Sequence, residues 1–159
     1  ALHWIPEPDQ GDVVSSVRRA LREGGRFVAE LGGTGNVSLV RDAVRDELAE
    51  RGYSYDEPWY FPSLGEYTAF VEENGFEVRY ARLFDRHTRL RGEDGLRSWL
   101  RMFGDSLLSE VPAEETDEVV SMTEERLMDE LYNADKGCWT ADYRRLRFAA
   151  YKTDNSRTE

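Results

Sequence analysis

One stretch, residues 18–36, constrains the fold of this chain more than any other. It reads RRALREGGRFVAELGGTGN: the end of an amphipathic helix, a double-glycine stop, a strand over residues 26–31, and a glycine-rich turn that opens a second helix. The apolar run Phe27-Val28-Ala29 is typical of a strand covered on both faces, as in a parallel α/β sheet. Because ligands of such sheets bind beyond the carboxyl ends of the strands, we expect function near residues 30–36.

Helical periodicity flanks this strand on both sides. The helix before it presents a face made of Val13, Val14, Val17, Ala20 and Leu21. The helix after it presents Val37, Val40, Val44 and Leu48. Asn36 is the predicted cap of this second helix, and Gly52 is its stop. The order helix, strand, helix predicts an α/β fold.

The rest of the chain adds helices and two further strands. Ser63 and Glu66 form a predicted capping box, residues 76–80 alternate as a half-exposed strand, and residues 143–152 form a predicted last strand. Apolar residues at helical spacing run from residue 94 to 107, and a second helix covers residues 114–131. We therefore predict one domain over residues 1–159, with a helical insertion or cap at residues 94–140.

Composition narrows the function classes. The chain has 159 residues, with 32 acidic against 21 basic side chains and a net charge of −11, so it should repel nucleic acid and anionic membranes. An acidic surface with only two lysines, Lys136 and Lys152, is also expected of a protein adapted to concentrated salt. Without a membrane span or a signal peptide, we expect a soluble, cytoplasmic protein. Cys138 is the only cysteine, which excludes an internal disulfide and a thiolate metal cluster.

Three segments carry candidate sites, each with two interpretations. Residues 53–62, YSYDEPWYFP, hold five aromatic side chains and form either a hydrophobic plug or a pocket wall. Residues 79–91 hold five arginines and His87, which either pair with carboxylates on an exposed strand or clamp a carboxylate substrate. The turn GGTGN at residues 32–36 could cradle a phosphate, but it matches neither the dinucleotide fingerprint nor the P-loop. A tight turn is the simpler interpretation.

Several phrases occur together in a fixed order. They are His3-Trp4-Ile5-Pro6, Arg19-Ala20-Leu21-Arg22-Glu23-Gly24-Gly25-Arg26-Phe27, Tyr60-Phe61-Pro62-Ser63, Glu73-Asn74-Gly75-Phe76, Gly92-Glu93-Asp94-Gly95-Leu96 with Trp99, and Asp142-Tyr143-Arg144-Arg145-Leu146-Arg147. In this order they resemble the carboxyl-terminal part of a class I S-adenosylmethionine-dependent methyltransferase, most closely the trans-aconitate methyltransferase-like group. The resemblance covers nearly the whole chain.

The resemblance implies a partial Rossmann-like methyltransferase sheet, made of its carboxyl-terminal strands with the last two antiparallel, plus an α-helical insertion. It also implies S-adenosylmethionine as cofactor and methyl transfer to an oxygen nucleophile, such as that of a small carboxylic acid. The family's glycine-rich cofactor loop and its acidic ribose-binding residue have no counterpart in this sequence. The chain therefore resembles a fragment without the cofactor-binding half, and alone it is expected to be inactive.

Site residues follow partly from the resemblance and partly from chemistry. Leu2 and His3 match the segment that borders the cofactor in such enzymes. His3 is either a catalytic base for a hydroxyl substrate or, with Trp4, part of a pocket wall. The substrate-side candidates, chosen for their chemistry, are Trp4, Trp59, Tyr60, Arg86, His87 and Arg145.

Two further hypotheses follow. If residues 26–31 lack one neighbouring strand, they expose an apolar sheet edge that favours a homodimer. The second hypothesis is a non-catalytic module that kept half of the fold and uses its aromatic pocket or its exposed sheet edge to bind a ligand or a partner chain. A third hypothesis, an unrelated α/β domain, would be favoured by a sheet without the antiparallel last strand.

Overall fold

The computed structural model describes residues 2–104 and 106–153, which fall into two compact units. The first unit holds residues 2–36, 59–85 and 144–153, and the second holds the described residues of 37–58 and 86–143. The segment predicted as an insertion, residues 94–140, belongs to the second unit together with residues 37–58. The prediction of a single domain with an insertion stays a prediction.

The helices and strands alternate along the chain. After short 3₁₀ turns at Leu2–Trp4 and Glu7–Asp9, they are α1 Gln10–Ala20, β1 Arg26–Gly32, α2 Ser38–Arg51, α3 Leu64–Glu73, β2 Phe76–Asp85, β3 Thr88–Arg89, α4 Gly95–Phe103, α5 Ala113–Leu131, β4 Tyr132–Asn133, β5 Cys138–Ala141 and β6 Arg144–Lys152. The predicted capping box is confirmed, because Ser63 Oγ accepts from the Glu66 N–H and the Glu66 carboxylate accepts from the Ser63 N–H. The predicted helix over residues 94–107 ends earlier, at Phe103, since Gly104 follows.

The sheet of the first unit has the strand order β1-β6-β2. The last strand, β6, is antiparallel to both neighbours, so β1 and β2 run in the same direction. The predicted antiparallel relation of the last two strands is confirmed. The apolar run of β1 predicted parallel neighbours. In the described chain its hydrogen-bonded neighbour is instead the antiparallel β6. The residue pattern of β1 alone does not reveal the direction of its neighbour.

The core of the first unit lies along one face of β6. Leu146, Phe148 and Ala150 alternate with more exposed positions and are fully buried. Phe148 packs edge-on against Phe27 with ring centroids 5.0 Å apart, and against Tyr67 at 5.7 Å. These contacts join β6 to β1 and α3 in the hydrophobic core of the unit.

In the second unit, α2 packs on α5, and a small sheet has the order β3-β5-β4. The buried Glu47 carboxylate links the two helices, because it pairs with Arg51 on its own helix and with Arg126 on α5. Arg126 also pairs with Glu50. The free Cys138 is buried in β5.

Asn36 does not cap α2, and that prediction is wrong. The helix begins at Ser38, and its Leu39 N–H donates to the Asp142 carboxylate at 2.8 Å. Burial raises the pKa of Asp142, and the Leu39 and Ser38 donors oppose that rise. The Asn36 side chain instead accepts from the Arg144 N–H at 2.9 Å, at the start of β6.

Candidate functional site

In the glycine-rich segment at residues 32–36, backbone N–H groups donate hydrogen bonds to other parts of the protein. The Gly32 N–H donates to His3 Nδ1 at 3.1 Å, the Gly33 N–H to the Arg144 carbonyl at 3.0 Å, and the Thr34 N–H to the Pro62 carbonyl at 2.9 Å. A cradle for phosphate would need these donors to be available. The turn is therefore a tight structural connection. A side chain at Gly32 would overlap the Phe61 ring, so glycine is what lets that ring approach.

His3 is held as a neutral imidazole. Burial, followed by the positive charge of Arg145, lowers the pKa of His3 from 6.5 to about 4. Because Nδ1 accepts from the Gly32 N–H, the single proton of the neutral ring lies on Nε2. His3 thus offers a fixed N–H donor. A base role would require loss of the Nε2 proton or a tautomer that gives up the Gly32 bond.

Aromatic rings surround this histidine. His3 contacts Phe61 with ring centroids 5.7 Å apart, and Trp4 at 6.0 Å. Trp59 is buried, stacks on Phe61 at 5.7 Å and meets Trp4 edge-on at 5.5 Å. Together with Arg145, these residues form what we call the His3 cluster: His3, Trp4, Trp59, Phe61 and Arg145. Both the pocket wall predicted from the aromatic loop and the predicted packing of the His-Trp pair fit this arrangement.

The pairing of β6 with β1 positions Arg145 near His3, because Arg145 lies opposite Gly32, whose N–H donates to His3. Arg145 lies near the start of the central strand β6, opposite Gly32 on β1 and Phe84 on β2, and it is half-buried. Its charge is close enough to lower the pKa of His3. A half-buried guanidinium beside aromatic rings suits a planar carboxylate, to which arginine donates two parallel hydrogen bonds.

Gln10 and Tyr67 anchor the turn that carries His3, and the sequence analysis missed both roles. Gln10 Nε2 donates to the carbonyls of Leu2 and Ile5, each at 2.8 Å, and its Oε1 accepts from the Tyr67 hydroxyl at 3.1 Å. Both side chains are buried. The local sequence offers only a glutamine at the first position of a helix, shortly after Pro6 and Pro8. This pattern does not identify the hydrogen-bond partners of Gln10.

The other predicted site residues lie outside the cluster. Tyr60 donates its N–H to the His3 carbonyl at 3.0 Å, while its side chain lines a separate cleft. Leu2 packs against the core of the first unit. Arg86 and His87 are exposed residues of the second unit, where the Arg86 N–H donates to the Tyr143 carbonyl at 2.7 Å. The structure brings together His3, Trp4, Trp59 and Arg145 only.

The chemistry of the His3 cluster fits one wall of a cofactor site and not a whole one. It offers a neutral imidazole donor, a guanidinium and three aromatic rings, and it contains no carboxylate that could bind ribose hydroxyls or an amino group. Among the described residues, no group of three histidine, cysteine or acidic side chains could hold a metal ion. Over the same residues, every helix is too short or too polar to cross a membrane.

The pKa of His3 gives a pH prediction. Its folded-state pKa of about 4 lies below the ordinary 6.5, so the stability that depends on a neutral His3 is present above pH 6.5 and is lost as the pH falls toward 4. We expect the difference in unfolding free energy between the wild type and His3→Gln to shrink over that interval. Histidine NMR titration provides the direct check, with His87→Gln to assign the two signals. A measured His3 pKa near 6.5 would contradict the buried, neutral assignment.

Comparison with known proteins finds a relative in sequence. The chain is 34% identical to an uncharacterised methyltransferase of Schizosaccharomyces pombe over 166 residues, which cover 96% of this chain and 60% of that protein. The chain thus spans less than two thirds of that relative's length. No family model matches the chain.

Solved structures agree at the level of the fold. A candidate methyltransferase of Bacillus halodurans has a TM-score of 0.56 at 15% identity, covering 97% of this chain and 62% of that one. Loganic acid methyltransferase, solved with S-adenosylhomocysteine, has a TM-score of 0.54 at 15% identity, covering 94% and 52%. These comparisons do not bear on the trans-aconitate-like subgroup. The predicted resemblance to part of a methyltransferase is confirmed: the chain has the α/β fold of part of these solved structures and is similar in sequence to a methyltransferase.

Proposed function

We propose that this chain forms the acceptor side of a cytoplasmic S-adenosylmethionine-dependent methyltransferase that methylates an oxygen of a small carboxylic acid. The observation that carries the proposal is the His3 cluster, in which a neutral histidine contacts aromatic rings and lies within electrostatic reach of an arginine, in a chain similar to a methyltransferase. The name of loganic acid methyltransferase gives an example of an acid acceptor on a similar fold. Because the described residues do not form a whole cofactor site, the methyl donor would be held mainly by other parts of the protein.

The cluster residues would act by binding and orientation. Arg145 would hold the carboxylate of the acceptor, and the Nε2–H of His3 would donate a second hydrogen bond that fixes the direction of its oxygen. Trp59 and Phe61 would exclude water. A carboxylate is already a nucleophile, so the acceptor would need no general base. This fits a histidine that carries its proton on Nε2.

The test uses the natural protein that carries this chain. It would be incubated with methyl-labelled S-adenosylmethionine and a panel of small carboxylic acids, and label in the methyl ester would be counted. Arg145→Gln is expected to lower kcat/KM for carboxylates by at least about tenfold through lost charge-assisted hydrogen bonds. Arg147→Gln is the matched control, since it removes the same charge from the same strand at an exposed residue that pairs with Glu30.

The outcomes distinguish an error in the proposed acceptor from an error in the proposed methyltransferase activity. Binding of S-adenosylhomocysteine in calorimetry without transfer to any acid would reject the carboxylic acid and keep the methyltransferase. Neither binding nor transfer would reject the methyltransferase itself. The 159-residue chain alone is expected to bind S-adenosylhomocysteine far more weakly than the natural protein. Equal affinity would contradict the idea that other parts of the protein hold the cofactor.

The edge strand favours a second candidate, a module that associates through its sheet. In the described chain, β1 has one hydrogen-bonded neighbour, β6, and Val28 is 53% exposed. We propose that a second copy pairs with this edge to form a homodimer. Sedimentation should show a dimer that Val28→Lys weakens by at least about tenfold, because a charge on an edge strand opposes pairing. Tyr80→Lys, on the other edge strand, is the control, and a monomeric wild type would reject the proposal.

We also propose that the protein is adapted to concentrated salt. Its net charge of −11 makes the folded chain repel itself. Salt screens this repulsion, because the Debye length falls to about 3 Å at 1 M. Unfolding temperature should therefore rise with potassium chloride concentration from 0.1 M upward. A temperature that is constant or falls over that range would contradict the proposal.

A further inference from the structure

A cleft of about 500 Å³ lies in the first unit and shares only Phe61 with the His3 cluster. Its floor is the segment Tyr60, Phe61 and Pro62, and one side is α3, which contributes Glu66, Ala69, Phe70 and Glu73 at helical spacing. The opposite side is Glu7 and Gln10. The volume falls within the range of small-molecule sites.

Three aromatic rings and three carboxylates line this cleft. Tyr60, Phe61 and Phe70 supply the ring surfaces, while Glu7, Glu66 and Glu73 supply the charges. No arginine or lysine is among the described residues that line it, and none of the three glutamates forms an ion pair within the described chain. This differs from the second unit, where Glu47 and Glu50 are neutralised by arginines. The cleft is therefore a local site of negative potential.

The charges converge on the aromatic floor. Burial raises the pKa of Tyr60, and the charges of Glu7 and Glu66 raise it further. Glu66 is ionised at neutral pH, because its capping hydrogen bonds with Ser63 lower its pKa. The small side chain of Ala69 leaves the space between the carboxylates open. Ring faces surrounded by ionised carboxylates are the features that bind quaternary and primary ammonium groups.

We propose that this cleft binds a small organic cation, an ammonium compound with an apolar body, with its charge against the rings of Tyr60 and Phe70 and between Glu7 and Glu73. An anion is disfavoured there by the same charges. The site is distinct from the carboxylate position proposed at Arg145. The proposal concerns binding alone and does not rest on methyl transfer, so either can fail without the other.

The experiment is calorimetric titration of the chain with choline and with its uncharged carbon isostere, 3,3-dimethylbutan-1-ol. Choline should bind at one site per chain, and the isostere at least about tenfold more weakly, because only choline interacts electrostatically with the rings and carboxylates. Equal binding of the two compounds, or no saturable binding of choline, would overturn the proposal.

Variants locate the binding. Glu7→Gln and Glu73→Gln should each weaken choline binding by about 3- to 10-fold. Asp12→Asn, which removes one charge from an exposed residue outside the lining, should leave it unchanged. Ala69→Trp should abolish binding by filling the cleft from an exposed helix position, with the circular dichroism spectrum retained. An effect of Asp12→Asn equal to that of Glu73→Gln, or full affinity in Ala69→Trp, would contradict this site. Glu66 is left intact because it caps α3.

Discussion

Replacing Phe148 with alanine is expected to lower the free energy of unfolding by about 3–5 kcal/mol, the cost typical of removing a fully buried phenylalanine. Phe148 lies on the central strand of the sheet of the first unit and contacts Phe27 and Tyr67. Neighbours from two other elements can collapse only partly into the cavity that remains. The loss should therefore exceed the transfer energy of the ring alone.

Urea unfolding followed by circular dichroism measures this effect. Val28→Ala, on the neighbouring strand β1, is the control: its side chain is 53% exposed, and we expect a loss below about 1 kcal/mol. If Phe148→Ala and Val28→Ala cost the same, the face of β6 assigned to the core would be wrong.

Replacing Gln10 with methionine is expected to cost about 2–4 kcal/mol. Methionine keeps the length of the side chain but leaves the carbonyls of Leu2 and Ile5 without their side-chain donor and the buried Tyr67 hydroxyl without its acceptor. Unlike the core substitution, this one should also reach the site, because Gln10 anchors the turn that carries His3.

Two measurements separate anchoring from general stability. In a double-mutant cycle, adding Tyr67→Phe to Gln10→Met should recover part of the loss, because both partners of one buried hydrogen bond are then apolar. The ¹⁵N shifts of the His3 ring should move in Gln10→Met and remain unchanged in Val28→Ala. Unchanged shifts in Gln10→Met would show that the turn holds His3 without Gln10.

Features that depend on neighbouring residues could be predicted from the sequence. The capping box of Ser63 and Glu66 was predicted because both partners lie within one helical turn, and the start of β2 was predicted from the alternation of residues 76–80. The aromatic loop was identified by composition. The ring contacts of Trp59 and Phe61 place part of this loop beside His3, and its role as a plug or as a pocket wall stays a prediction.

Features that depend on distant contacts could not be predicted in the same way. Asn36 is a good cap by residue type, but the side chain that accepts a hydrogen bond from the first turn of α2 is Asp142, far along the chain. Gln10 bonds to Tyr67, which lies on another helix of the first unit and 57 residues further along the chain. Side-chain hydrogen bonds of this kind depend on tertiary packing, which spacing in the sequence does not record.

The position of β6 in the middle of the first sheet also has a consequence for synthesis. Because β1 and β2 pair with β6 and not with each other in the described chain, neither pairing can form until Arg144–Lys152 has left the ribosome. The pairing of β1 with β6 therefore waits through translation of residues 37–143, and that of β2 with β6 through residues 86–143. Closing such long loops makes folding of the sheet slow, and we expect chaperones that shield exposed strands to associate with the chain until its final strand is released.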